Sequence, residues 1–189
     1  MDALGHRRFA VAGHDTGMWI GYALAADHPG RIDRVAPAEA AMPGLSRSPP
    51  PFGPAANDRL WHFAFNRLAE VNEQLVGRRE QVYFGFQFAK AARKLPDSTV
   101  QYYLDTLAGP GALRGSFAAY RALDATIAQN EQRKAQRLAL PGLAIGGSEG
   151  IGEGAATTMK LAADDVQSVV IPGSGHYCLE KAPRRWWPR

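Results

Sequence analysis

Of the 189 residues only one is cysteine, Cys178. No disulfide can form within the chain, and secretion finds no support. Nor is there a four-ligand Cys/His pattern of the kind that holds zinc. Long apolar runs are also lacking. The longest, around Met18 to Ala26, falls far short of the roughly 18 residues that a membrane span needs. The start, Met1-Asp2-Ala3-Leu4-Gly5-His6-Arg7-Arg8, does not have the order of a signal peptide. A single-sign charge field is missing too. The last nine residues hold Lys181, Arg184, Arg185 and Arg189 and no acid. Without those four, the 22 Lys and Arg fall to 18, equal to the 18 Asp and Glu. The net charge of +4 is therefore an effect of the end of the chain, and the basic stripe of a nucleic-acid binder is absent. What is present is ordinary. A hydrophobic share of 46% and a charged share of 21% suit a globular domain rather than a disordered or fibrous chain. The expectation is a soluble, cytoplasmic protein with neither nucleic acid nor membrane as partner.

Phe9 to Ala12 is a short apolar run ending at Gly13, the form of a buried parallel strand. From Thr16 the spacing changes. Met18, Trp19, Tyr22, Ala23, Leu24 and Ala26 give a broad apolar helix face that stops at Asp27-His28-Pro29-Gly30. Ile32 to Ala38 reads as a second strand. Strand, tight turn, helix and strand make a βαβ unit and predict a parallel sheet. Pro43, Pro49, Pro50, Pro51 and Pro54 exclude regular structure from Pro43 to Pro54. Asn57 to Leu138 is helical and aromatic, and breaks at Leu95-Pro96-Asp97 and Gly109-Pro110-Gly111 predict three or four helices. Leu140 to Ile145 and Val166 to Ile171 return to strand character. The expected class is α/β. A core over residues 1–48 and 138–189 is interrupted by a helical insert over 49–137.

Two segments carry chemistry. Gly13-His14-Asp15-Thr16-Gly17 lies between strand and helix and has the form small-x-nucleophile-x-small. Its middle side chain is a carboxylate, a weak nucleophile towards esters and a better one at an sp³ carbon bearing a leaving group. Alone, the five residues fit equally a glycine turn with Asp15 as helix N-cap. Gly173-Ser174-Gly175-His176 follows the last strand, where a histidine is well placed as general base or is merely a loop residue.

In this order, separated by a helical insert, the two segments resemble the α/β-hydrolase fold. Within it they resemble the epoxide hydrolases and the haloacid and haloalkane dehalogenases. The resemblance implies a mostly parallel sheet flanked by helices with a helical cap. It makes Asp15 the nucleophile and His176 the base. It offers two places for the carboxylate that orients the histidine. One is Glu39, in Ala38-Glu39-Ala40-Ala41-Met42; the other is Glu149, in Gly146-Gly147-Ser148-Glu149-Gly150. Glu39 fits the spacing better, Glu149 falling one residue off. Tyr120-Arg121 matches the cap pair whose phenol polarises an epoxide oxygen. A second cap tyrosine is replaced by His62. The arginines with which fluoroacetate dehalogenases hold a carboxylate appear as Thr16 and Trp19, and their halide-binding tryptophan as Phe63. Epoxide opening therefore leads and dehalogenation follows. His14, Thr16, Trp19, Trp61, His62 and Phe63 are the expected substrate-binding residues, for a small apolar epoxide or halogenated substrate. No cofactor and no metal is implied.

The sequence also departs from that group. The strands that precede the nucleophile strand, with their His-Gly-x-Pro loop, are not found, and the C-terminal Arg184-Arg185-Trp186-Trp187-Pro188-Arg189 does not resemble the usual final helix. A catalytically impaired remnant is thus a further alternative. A homo-oligomer joined through the nucleophile strand's open edge stays open as well.

Overall fold

The computed structural model describes residues 1–47, 53–89, 95–109 and 111–183, the side chains of 55 and 56 excepted. Pro49, Pro50 and Pro51, Pro110 and the basic end from Arg184 to Arg189 lie outside the described residues. The chain divides into two compact units. The first holds Met1–Arg47 and Thr126–Arg189, and the second holds Ser48–Ala125.

The first unit is built on four parallel strands in the order β1-β2-β3-β4: β1 Phe9–His14, β2 Ile32–Ala38, β3 Gly142–Gly147 and β4 Val166–Ile171. Parallel strands need crossover connections. Helix α1 (Thr16–Asp27) joins β1 to β2, and α8 (Gly154–Met159) lies between β3 and β4. One face of α1 buries Met18, Tyr22 and Ala25 against Ile32 and Val35. Ala155, Ala156 and Met159 of α8 extend the same core past Ala144. A second, smaller cluster, Ala38, Ile145, Ile171 and Cys178, sits at the carboxyl ends of β2 to β4 under the short α9 (Cys178–Lys181). Register aligns those ends. His14 pairs with Ala38, Ala38 with Ile145, and Gly147 with Ile171. The loops leaving all four strands therefore open at one edge of the sheet.

The second unit contains α2 (Pro54–Asn66), α3 (Val71–Val76), α4 (Glu80–Ala89), α5 (Asp97–Leu107), α6 (Ala112–Arg121) and the first residues of α7 (Leu123–Arg133). That is more helices than the three or four expected. The extra breaks carry no proline. Glu70 ends one and Arg78 sits in the other, with φ of 65° and 64°, a conformation that their side chains do not advertise. The core here is aromatic. Val76, Tyr83 and Phe117 are buried, with Trp61, Phe65, Phe84 and Leu113 packed on them. Burial without full compensation from Asn66 and Gln87 pushes the Tyr83 hydroxyl up to about 12.

The return to the first unit falls at Thr126, earlier than the expected 137, because α7 from there on bonds to that unit. Asn130 is fully buried. It donates to the Pro43 carbonyl at 2.9 Å and accepts from Arg133 at 3.0 Å. Arg133 in turn holds the Asp27 carboxylate through two bonds, of 2.8 and 2.6 Å. Replacing Asn130 by leucine leaves a half-buried carbonyl and a guanidinium N–H without this partner. The substitution is expected to cost about 1–3 kcal/mol of unfolding free energy. Urea unfolding checks this, and an unchanged midpoint would mean that Asn130 only fills space.

Candidate functional site

The turn between β1 and α1 is tight enough to dictate its residues. A side chain on Gly13 would place its Cβ 2.1 Å from the Gly17 carbonyl oxygen. Asp15 between them takes φ 54° and ψ −121°, a region that costs a non-glycine residue about 1–3 kcal/mol. Its side chain makes no capping hydrogen bond to α1, so the helix-cap alternative fails. The carboxylate's bond to the helix is limited to the Thr16 amide at its very start.

Glu39, the residue after β2, also has positive φ, 57°. Its main-chain N–H bonds the Ile145 carbonyl at 3.0 Å, and its side chain is 1% exposed. A buried carboxylate needs donors. The Gly147 amide donates to Oε1, and the Ile151 amide lies 3.3 Å from the same oxygen. Gly150 must be glycine, because a Cβ there would stand 2.4 Å from Glu39 Oε2. The loop after β3 thus serves as an amide cradle for Glu39. Glu149, the other carboxylate considered for that loop, is exposed. What it contributes is its own amide, which bonds the Ser174 carbonyl at 2.9 Å.

His176, from the loop after β4, stands between the two carboxylates. Its Nε2 lies 2.8 Å from Asp15 Oδ2 and its Nδ1 3.4 Å from Glu39 Oε2. Burial disfavours the imidazolium. The hydrogen bonds to Asp15 and Glu39, with their charges, more than offset it and raise His176 to about 9. The same pairing acts on Asp15. Desolvation pushes its carboxyl up, and the bond to His176 brings it below the usual aspartate value. Cys178, just beyond, moves up to about 11 through burial and the nearby Glu39 charge, which leaves it an unreactive thiol. Among the described residues no group of three His, Cys, Asp or Glu is arranged to hold a metal ion.

The other expected residues divide. Thr16 opens α1 beside Asp15. His14 and Trp19 each bond a main-chain carbonyl. His14 Nε2 lies 2.6 Å from the His176 carbonyl, and the Trp19 indole donates to the Ala41 carbonyl at 2.9 Å while its ring packs on the main core. In the second unit His62, Phe63 and Tyr120 gather. The Tyr120 ring meets His62 at 5.8 Å and Phe63 at 5.2 Å, both edge-on. Trp61 goes elsewhere. It packs on Phe65, Tyr83 and Phe86, so it belongs to that unit's own aromatic packing. Arg121 next to Tyr120 is likewise structural, bonding the carbonyls of Leu68 and Arg114 and pairing with Glu73 at 3.6 Å. The cradle formed by Gly147 and Ile151 was not foreseen. Its one trace in the sequence is the glycine-dense run Gly146-Gly147-Ser148-Glu149-Gly150 after a strand.

No family model matches the chain. Solved structures do. The wild-type protein Cfl2 of Burkholderia cenocepacia superposes with a TM-score of 0.91 at 32% identity, covering 98% of this chain and 65% of that one. The epoxide hydrolase CorEH gives 0.87 at 19% identity, with 98% and 67% covered. A Nostoc sp. protein, provisionally an α/β hydrolase, gives 0.86 at 24%, with 98% and 66% covered. The chain spans about two thirds of the length of each of these proteins. With four parallel strands among the described residues, a strained turn after the first and helices on the sheet, the chain has the α/β-hydrolase fold.

Proposed function

We propose that this chain carries the machinery of an epoxide hydrolase working through a covalent aspartyl ester. The observation that carries the reading is Asp15 itself. It is a carboxylate on a strained turn where an acyl-transfer enzyme would present a hydroxyl, 2.8 Å from the Nε2 of a histidine whose other nitrogen faces a buried glutamate. A carboxylate is suited to displacement at an sp³ carbon. CorEH, among the structural neighbours, is an epoxide hydrolase.

The reaction divides into two steps. An Asp15 oxygen attacks the less hindered ring carbon, the C–O bond of the epoxide breaks, and the departing oxygen takes up a proton. An ester between Asp15 and the substrate results. Water then attacks the ester carbonyl, with His176 Nε2 taking its proton. The alcohol departs as the diol, the carboxylate is restored, and the proton released here replaces the one taken up on ring opening. No cofactor takes part in this scheme.

Electrostatics supplies the switch between the steps. With Asp15 ionised, His176 lies between two anions and is held protonated up to about 9. Ester formation removes the Asp15 charge, so the His176 pKa falls and a neutral base appears when water needs one. Glu39 remains to stabilise the imidazolium that forms.

Two outcomes test the scheme. A His176→Gln protein exposed to an aryl epoxide should gain the mass of one substrate, with the adduct on Asp15, and the gain should vanish in the double variant with Asp15→Asn. An intact mass without any gain, from a protein that still melts cooperatively, would remove the proposal. Chloride or fluoride release with the same adduct from halogenated substrates would move the chemistry to dehalogenation. Glu39→Gln should still form the ester, because the nucleophile is untouched. Its hydrolysis should slow on the order of 10²–10⁴-fold, since an amide cannot stabilise the imidazolium. Single-turnover quenching reads that step directly, and an unchanged ester lifetime would exclude Glu39 from it.

A further inference from the structure

His14 is the last residue of β1, its main chain locked in register against Ala38 of β2. Its side chain reaches a residue 162 positions away, and its Nε2 stands 2.6 Å from the His176 main-chain oxygen. A carbonyl can only accept, so His14 Nε2 must carry the proton. The two imidazole rings lie 4.7 Å apart, tilted by 49°. The same carbonyl also accepts the Cys178 amide at 3.0 Å. Upstream, the loop is fastened by the Gly173 amide on the Ser148 hydroxyl and by the Ser174 carbonyl on the Glu149 amide, both at 2.9 Å. The His176 peptide is therefore gripped by the nucleophile strand on one side and by the start of α9 on the other.

We propose that His14 is a positioning residue for His176. Its Nε2–H, bonded to the His176 carbonyl, fixes the imidazole at the distance from Asp15 and Glu39 that general-base work requires. The proposal rests on the hydrolase reading for what His176 does, not for how it is held. His14 is thereby assigned to the machinery rather than to the substrate. The arrangement makes sense of a histidine directly before the nucleophile. The strand that presents Asp15 also sets the height of the base, so the two reacting groups move as one body. Misplacing a catalytic group by about 1 Å is enough to cost on the order of 10²-fold in rate.

Histidine-selective NMR on the full chain tests this without any substrate. The groups facing the His176 ring are Asp15, Glu39, His14 and the ring of Tyr177. In the native protein, neutral His14 should be the Nε2–H tautomer; finding the Nδ1–H tautomer would overturn the proposal. In His14→Phe, which keeps a ring and loses the donor, His176 should titrate about one unit or more below its native value of about 9, towards the ordinary 6.5. The direction discriminates. Deleting a neighbouring imidazole that acted only through charge would raise the His176 pKa or leave it alone, and either result sinks the positioning role. His14→Gln, whose amide N–H can reach the same carbonyl, should keep the native titration, and a fall as large as in the Phe variant would sink it too. If His14→Phe does not fold, the tautomer and the Gln variant still decide. With an aryl epoxide, His14→Phe should slow ester hydrolysis about tenfold or more, with ester formation little changed and His14→Gln recovering most of the loss. An absent ester in His176→Gln, beside the stated titrations, would remove the epoxide chemistry and leave the positioning role standing.

Discussion

A carboxylate buried to within 1% of full enclosure, as Glu39 is, sets conditions on everything around it. An unpaired charge at such a site is untenable, so it needs amide donors and a cationic partner. The donors come from the last residue of β3 and the loop after it, the cation from the loop after β4, and Glu39 itself from the end of β2. Three strands must therefore end in step. The register that pairs Ala38 with Ile145 and Gly147 with Ile171 brings this about. The apolar cluster of Ala38, Ile145, Ile171 and Cys178 just beneath keeps water from relaxing the requirement. Gly150 follows from the same condition, because the carboxylate occupies the space where its Cβ would be.

Asp15 adds a second anion to this frame, and the strain at its turn keeps it there. Its φ of 54° is tolerated because Gly13 and Gly17 touch across the turn and the Asp15 amide bonds the Ala38 carbonyl at 2.9 Å. The strained residue is thus tied to the residue preceding Glu39. His176 responds to both anions. Its raised pKa reflects two carboxylates outweighing its burial, and neutralising either one lowers it. A base whose basicity depends on the charge of its own nucleophile needs no separate trigger.

Much of this could be read in the sequence because it depends on local chain chemistry. The alternation of strand and helix, the glycine-flanked Asp15 and the histidine in a glycine-rich loop all follow from backbone constraints that a short segment displays. β2 over Ile32–Ala38 and β4 over Val166–Ile171 match the expected spans. What was not legible depends on partners far along the chain. Glu70 and Arg78 break helices in a left-handed conformation that neither side chain advertises and no proline marks. The cradle for Glu39 comes from amides more than a hundred positions away, and any residue type supplies an amide. What a large aromatic such as Trp19 or Trp61 packs on depends on residues elsewhere in the chain. Trp19 bonds the Ala41 carbonyl, and Trp61 packs on the ring cluster around Tyr83.

The two units divide the physical work. The three charged groups proposed for the chemistry, and the histidine that holds one of them, all belong to the first unit, on loops leaving consecutive strands. Among the described residues, the second unit buries the amides Asn66 and Asn72, which serve its own backbone and Tyr83. Its packing is a web of rings instead. A charge relay requires fixed distances, because Coulomb and hydrogen-bond terms change steeply with separation in a dry interior. Parallel strands in one register supply such distances. Aromatic packing is tolerant by comparison, since dispersion and area change gradually as rings tilt. Placing the charged groups on the sheet and the rings on helices therefore puts each kind of interaction where its own tolerance is met.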